Sequence, residues 1–385
     1  MSALDLPRAN WMTEDLVLLE EQARRFIDAE FVPHLDTWNR AGMYERSAWT
    51  RAGAAGLLCP AVPEAYGGAG GTFAHEAVII RELSLAGFDS FGAPLHSGIV
   101  APYILHYGTE EQKRRWLPGL VSGELVGAIA MSEPGTGSDL QAVCTSAKKS
   151  GNGYVLNGSK TFITNGQHAN LIIVVAKTDT SAGAKGVSLM VVETDHAPGF
   201  RRGRKLDKLG FDAADTSELF FEEVKLPPEN LLGSEEGQGF AQLMKDLPRE
   251  RLIVAVHAQA MIERALALTV DYVKQREAFG KKIVEFQNTQ FVLAECKSEA
   301  TISRVFHDHC IERYLDGALD TVTASMAKYW ITDLQGKIID RCLQLFGGYG
   351  YMEEFPISRM YRDARVMRIY AGTNEIMKLL IARSL

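Results

Sequence analysis

Residues 125–140 read LVGAIAMSEPGTGSDL, and at this point the chain changes its period. Upstream, over 11–125, apolar residues recur at helical spacing. Leu16, Leu19, Ala23, Phe26 and Ile27 form one such stripe. Downstream the runs shorten: LVGAIAMSE (125–133), YVLNGSKTFIT (154–164), LIIVVAKTD (171–179), VSLMVVETD (187–195) and SELFFEEVKL (217–226), separated by Gly, Asn and Asp. With no helix between them, these short strands predict an antiparallel barrel or sandwich rather than a doubly wound sheet. Asn157-Gly158 reads as a two-residue type I′ hairpin turn. From about residue 236 helical spacing returns, with runs at 249–275, 289–316, 323–346 and 373–383. The predicted class is α+β: an N-terminal helical domain (1–124), a middle antiparallel β-barrel-like domain (125–235) and a C-terminal helical bundle (236–385). Long apolar stripes this late suit a bundle that buries a face against other subunits.

Local signals refine the helical zones. Thr13 is placed to cap the first helix, with Glu14 and Asp15 at its positive end. Thr109 to Gln112 has the form of a capping box. PEAYGGAGG (63–71) reads as a loop.

The bulk numbers exclude several functions. A length of 385 residues exceeds one ordinary core, and 46% hydrophobic with 23% charged residues is a soluble, globular composition. The net charge of −7 argues against nucleic-acid binding. Five scattered cysteines without a C-x-x-C pair suit a reducing compartment and argue against a disulfide framework. The N-terminal MSALDLPRANWMTEDL lacks an apolar leader core or an Arg/Ser-rich presequence, and the apolar runs are too short to cross a bilayer. The expectation is a soluble protein of the bacterial cytoplasm, or of the mitochondrial matrix after removal of a presequence.

No P-loop, Rossmann turn or nucleophile elbow occurs. His307, His309 and Cys310 offer too few ligands on one helix face, so a helix surface is read there and no metal is predicted. RRGRK (201–205) reads as a solvated loop that could alternatively meet ligand phosphates. AMSEPGTGSDL (130–140) is more telling. Pro134 stiffens a turn, Gly135 and Gly137 admit a close ligand, and Ser132, Thr136 and Ser138 add hydroxyls. Such a nest suits a pyrophosphate or a polar ring edge, though a plain hairpin loop reads the same. Phe162 in KTFITNG (160–166) reads either as core or as an aromatic offered to a ligand. REAFGKK (276–282), LQLFGGYGYMEEFP (343–356) and RIYAGTNEIM (368–377) repeat the theme of open backbone with aromatic or hydroxyl groups.

Taken with KLGFDAADTSELFFEEVKLPPENLLG, these segments occur in the order and spacing of the acyl-CoA dehydrogenases, which the sequence resembles over essentially its whole length. The long-chain subgroup is the most similar. The resemblance implies FAD bound between the β-domain and the C-terminal helices. It implies oxidation of a fatty acyl-CoA to the trans-2-enoyl-CoA, the β-hydride leaving to flavin N5, and an electron-transfer flavoprotein as acceptor. It also implies a homotetramer in which part of each FAD is held by a neighbouring subunit. By the same resemblance, Met131, Ser132, Gly137, Ser138, Phe162, Ile163 and Thr164 are expected at the flavin, Ser138 also near the CoA pyrophosphate. Arg276, Phe279 and Gln287 are expected on FAD diphosphate and adenosine. Gln344, Gly347 and Gly348 are expected across a subunit interface, and Thr373 and Glu375 at a second set of FAD contacts. Tyr370, Ala371 and Gly372 are expected to line the thioester pocket, the Ala371 N–H binding its carbonyl oxygen.

The chemistry requires a base, and many members carry it as Glu between Tyr and Gly in the last motif, where this sequence has Ala371. DLPRERL (246–252) is expected to open the long C-terminal helix, and Glu250-Arg251-Leu252 resembles the Glu-Arg-Leu that carries the base in the long-chain and isovaleryl subgroups. Glu250 is therefore the expected base, with Arg251 orienting it or meeting CoA. The alternatives are a flavin-dependent oxidase that uses oxygen and a non-catalytic acyl-CoA-binding protein.

Overall fold

The computed structural model describes Leu4 and residues 6–385; Met1, Ser2, Ala3 and Asp5, part of the stretch read above for targeting signals, lie outside the described residues. Among the described residues seven α-helices come first: α1 (Glu14–Phe26), α2 (Leu35–Ala41), α3 (Arg46–Ala54), α4 (Phe73–Ala86), α5 (Ala93–Leu95), α6 (Ala101–Tyr107) and α7 (Glu110–Ser122). Their core is aromatic, with Phe31 making edge contacts to Trp38 and Phe91 at ring separations of 5.3 and 5.1 Å. The Thr109 box forms as predicted, each partner bonding the other's backbone. Thr13 occupies the N-cap position of α1 but does not cap it. Its hydroxyl donates to the Asp15 carboxylate, a charged acceptor that wins over the helix end.

Seven strands follow: β1 (Gly127–Ala130), β2 (Ser146–Ser150), β3 (Gly153–Thr164), β4 (Leu171–Lys177), β5 (Val187–Glu193), β6 (Phe200–Lys205) and β7 (Thr216–Leu226). They form one sheet in the order β1-β4-β2-β3-β7-β6, with β5 paired to β4. The sheet is mostly antiparallel, but β1 and β2 both run parallel to β4. The strand LIIVVA (171–176) is buried on both faces, so it reads as a continuous apolar run. The crossover from β1 to β4 is made by the β2–β3 hairpin instead of a helix.

The Asn157-Gly158 hairpin is corrected. β3 runs straight through it, and the turn falls at Gly151-Asn152, with Ser150 opposite Gly153 and Gly151 at φ +59°. Asn157 instead exchanges two hydrogen bonds with Glu223 of β7 at a bulge in the β3–β7 ladder. Gly158 is needed there for close approach, because a Cβ would stand 2.4 Å from Thr145 Oγ1 and 2.8 Å from Thr145 Cα. Gly158→Ala is expected to cost about 1–3 kcal/mol, read as a lowered denaturation midpoint. RRGRK is strand β6, not a loop. Arg202 donates to the Ala169 carbonyl and to Thr194, Lys205 reaches the carbonyls of Ala41 and Gly42, and Arg201 lies over Phe220.

The bundle comprises α8 (Gly239–Gln275), α9 (Gln287–Leu315), α10 (Thr321–Leu345), α11 (Pro356–Ala364) and α12 (Asn374–Ala382). α8 begins earlier than its apolar stripe predicted and carries Pro248 inside it, so DLPRERL does not open the helix and Glu250 stands three turns in. The mixed composition of 239–248 conceals those first turns. From Leu252 to Ala260 every residue of α8 is buried, as expected of a helix with neighbours on all sides. α8 is long and apolar enough to span a bilayer, but 78% of its most apolar 18-residue window is buried inside the protein. His307 and Cys310 do not form a surface. Both are buried, His307 beside Asp308, and among the described residues no three His, Cys, Asp or Glu converge as a metal site.

Candidate active site

Glu250 is a carboxylate in the interior, 4% exposed, and its Oε1 accepts a hydrogen bond of 2.9 Å from the Tyr103 hydroxyl of α6. Burial pushes its pKa up to about 7. The Tyr103 bond pulls it down, Asp246 pushes it up, and Arg251 and Arg249 pull it down. Neither arginine binds it directly. Arg249 turns to Glu76 of α4, and Arg251 donates 3.2 Å to Ser325 Oγ of α10. The two remain as nearby charge.

The turn after Ile369 is built from the residues expected to line the thioester pocket. Ala371 adopts φ +52° and Gly372 φ +83°. For alanine this conformation costs about 1–2 kcal/mol and must be imposed by its surroundings. Lys328 of α10 imposes it. Its buried Nζ donates to the Gly372 carbonyl at 2.7 Å and to Asn374 Oδ1 at 2.9 Å. Asn374 in turn donates to Tyr329 O, Thr332 Oγ1 and Asp333 Oδ1. Burial, then Arg251, pushes the Lys328 pKa down to about 7, against the pull of Asp333 and Glu375. With the turn so fixed, the Ala371 N–H has no acceptor among the described residues. Tyr370 packs half-buried against the bundle core. Thr373 caps α12 by accepting from the Ile376 N–H. Glu375 stands exposed in the first turn of α12, where backbone N–H and then Thr373 hold its carboxyl below the usual range. It offers no second buried acid.

In the β-domain, Glu133 and Thr136 close the Gly-rich turn by paired backbone bonds. A buried ion pair fixes it from beneath. Glu133 accepts from the N–H groups of Cys144 and Thr145 and from Lys160 Nζ, which also donates to Met131 O at 2.9 Å. Burial pushes the Lys160 pKa down to about 8, opposed by Glu133. Met131 and Ser132 are half-buried, while Gly137 and Ser138 lie exposed on the outer side. Phe162 is not core: it is 70% exposed, at φ +61°, in the bulge between Lys160 and Ile163. The Ile163 side chain points into the sheet interior, which leaves only its backbone for a ligand. Thr164 is half-buried at the strand end, and Asn165 ties that end to the carbonyls of Gly92 and Gly127.

The remaining expected residues lie elsewhere. Arg276 follows Glu250 by 26 positions of unbroken helix, about 39 Å. Phe279-Gly280 is the two-residue turn of a small hairpin, β8 (Glu277–Ala278) and β9 (Lys281–Lys282), with φ +53° and +77°. Phe279 is 95% exposed. Arg276 lies over the Tyr349 ring, next to the exposed Gln344, Gly347 and Gly348, while Gln287 is exposed at the start of α9. Arg276 and the hairpin that follows it therefore stand well apart from Glu250 on one chain. Phe162, Phe279 and Ala371 are three of seven non-glycine residues with positive φ among the described residues, and such residues concentrate at functional sites.

An exposed aromatic on a strained strand end, open glycines and an N–H without an acceptor together fit a flat, polar-edged cofactor such as a flavin. Tyr103, Lys328, Glu133, Lys160 and Asn374 escaped the sequence reading. Lys160 alone carried a signal, a cation on the inward face of a strand between Leu156 and Ile163.

Comparison with known proteins identifies the family. Family models described as the acyl-CoA dehydrogenase N-terminal, middle and C-terminal domains match residues 13–124, 128–224 and 237–385. The chain is 48% identical over 370 residues to the long-chain specific acyl-CoA dehydrogenase, mitochondrial, of Mus musculus, covering 96% of this chain and 86% of that one. A crystal structure of an acyl-CoA dehydrogenase from Geobacillus kaustophilus superposes with a TM-score of 0.96 at 50% identity, covering 98% and 99% of the two chains. A glutaryl-CoA dehydrogenase from Mycobacterium smegmatis in complex with FADH2 superposes with a TM-score of 0.90 at 28% identity, covering 97% and 95%. The chain belongs to the acyl-CoA dehydrogenase family, oxidoreductases that are flavoproteins.

Proposed function

We propose that this protein oxidises a fatty acyl-CoA to the trans-2-enoyl-CoA, with FAD as cofactor and Glu250 as the base. The observation that carries the reading is a buried carboxylate whose pKa, raised by burial to about 7, suits it to take a proton at neutral pH. Ala371 supports it, because removing a side chain there leaves room for a carboxylate arriving from α8. The Ala371 N–H is then a donor for the thioester oxygen as negative charge develops on it. Lys328 and Asn374 keep that donor aimed, and Glu250 takes the α-proton. Met131, Ser132, Gly137, Phe162, Thr164 and the backbone of Ile163 are the residues that would hold the FAD ring, with Ser138 near the CoA pyrophosphate. Bound FAD supplies the acceptor for the β-hydride.

Arg276, Phe279, Gln287, Gln344, Gly347 and Gly348 stand too far along the bundle to serve the same FAD as Glu250. They suit the FAD of a second copy, in line with the expected homotetramer. The proposed electron acceptor is an electron-transfer flavoprotein. The test is anaerobic addition of straight and branched acyl-CoAs to purified, yellow protein. Bleaching by an acyl-CoA, with re-oxidation by an electron-transfer flavoprotein faster than by air, is expected. Peroxide released on every turnover would make it an oxidase, and stoichiometric acyl-CoA binding without bleaching would make it a binding protein.

A further inference from the structure

Among the described residues the Tyr103 hydroxyl has one partner, Glu250. The ring needs no hydroxyl to pack: it is buried in the N-terminal core and meets the Tyr107 ring at 5.9 Å. A phenylalanine would fill the same space without taking a polar group out of water, which is costly unless a bond replaces the lost hydration. The backbone is also arranged to deliver it. Residues His96–Val100 form a π-helical turn between α5 and α6. One extra residue in a helix swings everything after it by roughly 100°. His96 accepts from the Gly127 N–H of β1, whereas Tyr103, seven residues later and nominally on the same face, reaches Glu250 on α8.

We propose that Tyr103 is the positioning residue of the base: its hydroxyl holds Oε1 of Glu250 and leaves Oε2, which no described residue bonds, as the oxygen that takes the proton. This rests on the reading of Glu250 as the base. The hydrogen bond favours the ionised carboxylate, so it also sets the pH at which the base becomes available. The other charged or titratable groups facing this carboxylate are known. α8 supplies Asp246, Arg249 and Arg251, and α6 supplies Tyr107 and, through its contact with Asp246, His106. Behind them stand Glu76 of α4, bound to Arg249, and Lys328 of α10, beside Arg251. Tyr103 is the one that bonds the carboxylate.

The test is the pH profile of kcat/KM for acyl-CoA oxidation by Tyr103→Phe holoenzyme. The substitution deletes one oxygen and keeps the ring. Loss of the bond is expected to move the acid limb up by about one pH unit. The alkaline plateau of kcat should fall by about three- to tenfold, with FAD content and KM within about twofold of the parent. An acid limb that stays in place or moves down overturns the proposal, including the case in which the plateau merely falls, as a general loosening would produce. Glu250→Gln run in parallel separates the two readings. If that variant keeps its activity, the base assignment itself fails. If it is inactive while the Tyr103→Phe limb does not move, only the role of Tyr103 fails.

Discussion

Glu250→Gln is expected to keep its FAD, to lose acyl-CoA-dependent bleaching by about 10³-fold or more, and to be more stable than the parent protein at pH 8. The first two outcomes follow from removing a base while preserving shape. The third follows from linkage. Burial raises the Glu250 pKa from its ordinary 4.5 to about 7, so the folded chain retains a proton over a range where the unfolded chain has released it. That group's contribution to stability therefore declines as pH rises from 4.5 to 7. The full difference is worth about 3 kcal/mol above pH 7 and nothing below 4.5. Glutamine does not ionise and can still accept from Tyr103, so it escapes most of this cost. A gain of about 1–3 kcal/mol at pH 8, shrinking to near zero at pH 4.5, is the expected signature. Thermal denaturation of both proteins across that range measures it. Asp363, which burial also raises to about 7, is common to both proteins and cancels in the comparison. An active variant would remove Glu250 from the mechanism. An equally inactive variant that is less stable at pH 8 would show that the carboxylate is better solvated than its position implies.

What could be read in advance divides along physical lines. The helix–sheet–helix order was legible because hydrophobic period is a local property, and each zone is long enough to establish one. Glu250 was legible only through its neighbours in sequence, as Glu-Arg-Leu, together with the absent acid at 371. Its burial was legible only from what the chemistry asks of a base, a site that excludes water, since the local pattern placed it in the first helical turn, where an acid is ordinary. Pro248 looked like a helix boundary and is in fact interior to α8. Asn157-Gly158 carried the strongest turn signal in the β-domain and makes a bulge, because Glu223 across the sheet offers Asn157 a better use of its amide. The true type I′ geometry is at Phe279-Gly280, where an aromatic at positive φ contradicts propensity. Tyr103, Lys328 and Asn374 could not have been found. Each matters through partners at least 41 residues away, and nothing local distinguishes them.

The second large effect concerns the residue before the base. Arg249 and Glu76 form an ion pair that is buried on both sides and joins α8 to α4. It is poorly satisfied, because Glu76 Oε1 and Arg249 Nη1 have no hydrogen-bond partner among the described residues. Burial pushes the Glu76 pKa up, and the arginine recovers only part of that shift. Such a pair adds little net stability, yet breaking it on one side leaves an uncompensated charge in the interior. Arg249→Met is accordingly expected to destabilise the protein by about 3–5 kcal/mol at pH 8, while Arg249→Met combined with Glu76→Leu should recover most of that loss. Denaturant midpoints of the two single variants and the double variant measure the cycle. The function should respond differently. Arg249 is also one of the cations that lower the Glu250 pKa, so both variants lacking it should need a higher pH to reach half-maximal kcat/KM, whether or not stability has been restored. Recovery of stability without recovery of the pH midpoint is the expected pattern. If the midpoint returned together with stability, the arginine would be influencing Glu250 through packing alone. If the single variant cost less than about 1 kcal/mol, water would be reaching Glu76, and the dry surroundings on which the base depends would be wetter than this account requires.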